Sequence, residues 1–126
     1  MVLRILKRHF AAVLFSMTCI TAPQNALADT IRTKVPQEHI DAFQKDCNAK
    51  GVPAASCVCM LKKMTETREG DAALDAIGLI SSTPDDAKRK AAILSLLNRH
   101  GMRASELQAI MAPNNTLLPD IAKQCS

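Results

Sequence analysis

From residue 36 onward the apolar positions recur at helical spacing. Ile40, Phe43 and Cys47 step by three and four, and Ala54, Cys57, Leu61 and Met64 by three, four and three. Leu74, Ile77 and Ile80 follow. Ala87, Ala91, Leu94 and Leu97 mark a longer stripe, widened by Ile93 and Leu96. Leu107, Ile110 and Met111, then Leu117, Leu118 and Ile121, complete the series. A repeat of three and four places such residues on one side of a helix. Alternation of the kind a strand needs is confined to a short lead-in, Thr30–Val35. The pattern predicts an all-α bundle of five or six short helices.

Punctuation sets the expected bounds. One segment runs from Pro36 to Gly51 and the next from Pro53 to Gly70. Asp71 is expected to cap a third, which ends near Ile80. Thr83 as N-cap with Pro84 at the first helical position should open the fourth. Its first turn carries Asp85 and Asp86, and it should stop at His100, with Gly101 in the left-handed conformation that ends helices. Ser105-Glu106-Leu107-Gln108 has the spacing of a capping box, and Pro113-Asn114-Asn115 breaks that helix. Leu117–Cys125 forms the last, with Pro119 tolerated in its first turn.

The chain begins differently. Arg4, Lys7 and Arg8 precede an 11-residue apolar run, Phe10–Ile20, and Ala26-Leu27-Ala28 puts small residues at the −3 and −1 positions of a cleavage site. This reads as a secretory signal over residues 1–28, with a single helical domain at 29–126. The apolar run is about half of the ~20 residues a bilayer span needs, and no later stretch is longer. Ser16 and Thr18 sit where a lipoprotein signal around Cys19 would want an aliphatic and a small residue. Export to a bacterial periplasm is the expectation.

Removing the leader changes the charge. The 126-residue chain carries a formal +4, but residues 29–126 hold 13 Lys and Arg against 12 Asp and Glu. A polybasic nucleic-acid or membrane-surface binder is not indicated. Phe43 is the only aromatic after the leader, too few for base-stacking platforms. The segment Leu94–Ile110 has a helix-turn-helix outline, but export argues against DNA.

Four cysteines remain after the leader: Cys47, Cys57, Cys59 and Cys125. An even count in a small exported chain implies a disulfide framework. Gly51 and Pro53 break the interval between Cys47 and Cys57, so these two face each other across a helical hairpin. Cys59 lies about 200° around its helix from Cys57, where the last helix can bring Cys125 across. Cys47–Cys57 with Cys59–Cys125 is the expected pairing. Cys47–Cys59 with Cys57–Cys125 needs only a small helix rotation and stays open.

Other chemistry is sparse. Cys57-Val58-Cys59 near a helix N-terminus could support thiol exchange, since the dipole favours thiolate. With Met60 and Met64 it could also offer soft ligands to copper. His39 is expected on the first turn facing water, and His100 as a cation at a helix C-terminus. No G-x-S-x-G, H-E-x-x-H or phosphate loop occurs. The reading is a non-enzymatic binding, interaction or inhibitor-type protein without metal or cofactor, whose partner is another envelope protein. The alternative is a thiol-redox or copper-handling protein using Cys57 and Cys59.

Overall fold

The computed structural model describes residues 33–126, so the leader and its cleavage site lie outside the described residues. Six helices follow one another: α1 (Gln37–Ala49), α2 (Ala54–Met64), α3 (Arg68–Ser82), α4 (Asp86–His100), α5 (Ala104–Met111) and α6 (Leu117–Gln124). Among the described residues there is no strand, and no helix is long and apolar enough to cross a membrane. The all-α expectation holds.

The centre of the bundle is α3. Every residue from Gly70 to Ala76, and Gly78 and Leu79, is buried, as expected of a helix that other elements surround. α1 lies most closely against it, α4 and α5 pack on it as well, and α2 connects it to α6. The core holds Val35, Phe43, Leu61, Met64, Leu74, Leu79 and Leu96, among others. Phe43 is 6% exposed, the anchor its stripe implied. Gly51, at φ +80°, makes the turn that folds α2 back beside α1.

Several boundaries differ from expectation. α2 stops at Met64, six residues before Gly70, and Thr67 rather than Asp71 caps α3, its hydroxyl accepting the Gly70 N–H at 3.0 Å. Gly70 is not a stop signal. It sits in the first turn because a Cβ there would run into the Met64 carbonyl. α3 also continues past Ile80 to Ser82. Asp85, not Thr83, caps α4, accepting the Lys88 N–H at 2.9 Å. α5 begins one residue before Ser105, and Glu106 supplies its cap by accepting the Arg103 N–H at 2.7 Å. Gly101 behaves as expected: at φ +56° it closes α4 while the Met102 N–H returns to the Leu97 carbonyl at 2.9 Å.

The largest correction concerns α4. Ala87, Ala91 and Leu94 are exposed, Leu94 by 66%. The side that enters the core carries Leu96 and His100, with Ala92, Ile93 and Leu97 at its margins.

Candidate functional site

Two disulfides join the helices. Cys47 at the end of α1 meets Cys57 on α2 with their Cα atoms 6.1 Å apart, and Cys59 meets Cys125 after α6 at 5.7 Å. The preferred pairing is the one present. Cys57 and Cys59 belong to different bridges, so they are not the two ends of one redox couple. Met64 is fully buried and Met60 packs on the core. The candidate copper ligands are thus engaged in bridges or packing. No group of three or more His, Cys, Asp or Glu among the described residues has the arrangement to hold a metal ion.

The polar centre lies elsewhere, on α3. Asp75 is fully buried. Its Oδ1 lies 2.6 Å from His39 Nδ1 of α1. Its Oδ2 lies 2.8 Å from His100 Nε2 and accepts from Arg99 Nε at 3.0 Å and Nη2 at 2.8 Å, both residues of α4. Of these four contacts three fall on Oδ2 and one on Oδ1. One turn earlier, Asp71 accepts from the Thr33 hydroxyl and, at 2.9 Å, from the Lys34 N–H. His100 Nδ1 stands 3.7 Å from Asp71 Oδ2. Two carboxylates at i and i+4 on one helix therefore hold the lead-in segment, α1 and α4. Gly78 continues that side at i+7, where the His39 backbone occupies the place a Cβ would take. These are close-approach contacts, which only glycine permits.

The expectation that His39 faces water is overturned, and His100, which does lie in the last turn of α4 as expected, is turned inward. His39 is 7% and His100 3% exposed, because each is drawn inward by Asp75. A buried carboxylate needs donors, and these two residues and Arg99 are its donors. The sequence reading missed Asp75. Its signal was a single charge inside the apolar run Ala72–Ile80, together with a helical glycine at 78. His100 lines an open cavity of about 390 Å³ at the start of α3, with Lys34, Thr67, Arg68 and Asp71 around it. On the rim beyond, Glu106 bridges to Arg68 at 3.0 Å. The Arg103 N–H that caps α5 through Glu106, and the nearby Arg68 and Arg103 guanidiniums, hold its carboxyl below the usual glutamate range.

The surface is apolar in two further places. A cavity of about 190 Å³ opens between α3, α4 and α5, lined by Ala76, Ile80, Ile93, Leu107, Gln108 and Met111. A second, of about 570 Å³, lies beside the Cys59–Cys125 bridge and includes Val52, Pro53 and Met60. Exposed large apolar side chains are Val58, Ile80 and Leu94. Comparison with protein-family models, with curated proteins and with solved structures finds no match to this chain.

Proposed function

We propose that residues 1–28 direct export, that the mature chain begins at Asp29, and that it works in a bacterial cell envelope as a non-enzymatic binding module. One observation carries this reading. The buried polar groups are spent on one another around Asp75, whereas large apolar side chains are left on the outside, with Leu94 the most exposed. Burying such side chains against a partner is favourable by ~25 cal/mol per Å². Two bridges from α2, one to the end of α1 and one to the residue after α6, support the reading, since a stapled scaffold loses little freedom when it binds.

The test places a photoactivatable amino acid at exposed positions on each of the six helices, in cells that make the protein. Adducts are identified and the complex is rebuilt from the two purified components. A stable complex whose formation depends on the cross-linking position supports the reading. Absence of any adduct at every position overturns it. Intact mass of the exported protein checks the start at Asp29, and a mass that retains Met1 overturns the export step.

A further inference from the structure

The structure points to the outer face of α4 as the docking surface, and we infer that its occupant is an acidic amphipathic helix of another protein. The inference rests on the binding-module reading and names the partner's chemistry. Ala87, Ala91, Leu94 and Asn98 are all exposed and are spaced by four, three and four. At ~100° per residue they fall within about 60° of one another, roughly opposite Leu96, the buried centre of the helix. Four-three-four is the spacing of a seam between two helices, and among the described residues no helix lies against it. Leu94 is a knob, and the two alanines beside it let a second helix approach closely, to an axial separation near 8 Å. Ile93, the residue before Leu94, opens onto the apolar cavity it shares with Ile80 and Met111, which can take a large side chain from the partner.

Charge selects among occupants. Lys90 borders the seam on one side and Lys88 on the other, both exposed. Among the described residues neither lysine side chain joins an ion pair. The neighbouring Arg89 is occupied instead, by Asp86 and by the carbonyls of Thr83 and Pro84. A second copy docking antiparallel would bring two lysine borders together, so self-association is disfavoured. A helix with Glu or Asp on each side of its own apolar seam meets both lysines. A single helix face offers less than the ~800 Å² per partner of a standard interface, so binding should be micromolar or weaker and sensitive to salt.

The experiment uses mature, oxidised protein labelled with ¹⁵N and three probes. These are a synthetic amphipathic helix with a leucine seam bordered by glutamate, the same peptide bordered by lysine, and phosphatidylglycerol vesicles. The glutamate peptide should shift the amides of residues 87–98 and of Gln108 and Met111, and the lysine peptide should not. Lys88→Glu with Lys90→Glu should weaken the glutamate peptide at least tenfold at low salt and admit the lysine peptide. Leu94→Ser should weaken binding severalfold while leaving the melting temperature unchanged, because Leu94 lies outside the core. Equal response to both peptides, shifts confined to other helices, or a response to vesicles alone overturns the inference. In the cross-linking experiment, adducts elsewhere with α4 silent defeat this inference only. Silence at every position defeats the binding reading itself.

Discussion

Asp75→Asn tests what holds the bundle together. The substitution keeps the size of the side chain and removes its charge. It also places an NH₂ where an acceptor oxygen stood. His39, His100 and Arg99 all approach Asp75 through nitrogen. An amide oxygen can accept on one side only, so either His39 or the Arg99 and His100 pair faces an NH₂, and the charge that held the guanidinium is gone. Removing one partner of a buried charged network costs ~3–5 kcal/mol. A domain of this size has ~5–10 kcal/mol in all. The variant should therefore lose about half of its stability, a fall of roughly 15 °C or more in melting temperature. Arg99→Gln provides the internal comparison. The Arg99 side chain is 30% exposed. Water can replace part of what Arg99 loses, and a glutamine can still donate one hydrogen bond to the buried Asp75, so the cost should be smaller than that of Asp75→Asn, ~1–3 kcal/mol. Urea melts followed by circular dichroism, with both disulfides intact, give the two values. An Asp75→Asn variant within about 1 kcal/mol of wild type would refute the network as a structural centre. So would an Arg99→Gln loss as large as that of Asp75→Asn, because it would put the stability in the exposed arm.

Other expectations follow from single features. Cys125→Ser should lower the melting temperature at least as much as Cys47→Ser, because the bridges span sequence separations of 66 and 10 residues and in the chain-entropy account are worth ~4 and ~3 kcal/mol; equal melts for both variants and wild type would contradict the framework. Gly78→Ala should destabilise by ~2 kcal/mol or more although alanine is the better helix former, since its methyl group would meet the His39 backbone; a gain in stability would show that α1 can move away. Phe43→Ala should cost ~3–5 kcal/mol in a denaturant melt; unchanged stability would remove Phe43 from the core. Glu106, whose carboxyl is held below its ordinary range, contributes stability that is present above the unfolded-state pKa and is lost as pH falls through the lower folded value. Glu106→Gln should therefore flatten only the acid side of a stability–pH profile, by a small amount, and a change on the alkaline side would contradict the assignment.

Which parts of this architecture a reader of the chain could find depends on how local the cause is. Six helices, the hairpin at Gly51, the Gly101 stop and the anchoring role of Phe43 are set by residues close in sequence. The cysteine pairing was accessible because the stripes already oriented α1 and α2. The inner face of α4 was not. The run Ala91–Leu97 carries apolar residues on both sides of the helix, so periodicity alone does not say which side is inside. The choice is made by Arg99 and His100 reaching Asp75, 24 and 25 residues earlier in the chain. A reading that gives His100 only the helix end as its partner has nothing to fix the rotation of α4, and it then counts Leu94 as core. Gly70 misled for a related reason, and Gly78 drew no reading at all. Each serves a close approach by a distant or preceding backbone, which has no local signature beyond the glycine itself.

The same long-range link explains why a free apolar face exists at all. α4 has two candidate faces, and burial of Ala87, Ala91 and Leu94 would have been as favourable per unit area as burial of Ile93, Leu96 and Leu97. The difference lies in the polar residues each orientation carries inward. Turning Leu94 toward α3 would pull His100 and Arg99 away from Asp75. It would leave a buried carboxylate short of three contacts, a loss larger than one leucine can offset. Asp75 therefore commits the helix to leave Leu94 outside, between Lys88 and Lys90. The Schellman-type turn at Gly101 and the Asp85 cap hold both ends of α4 in that orientation. A surface fixed in this way needs no rearrangement to serve the proposed docking. Under that proposal the partner supplies area and negative charge, and little of the affinity would go into ordering the helix that receives it.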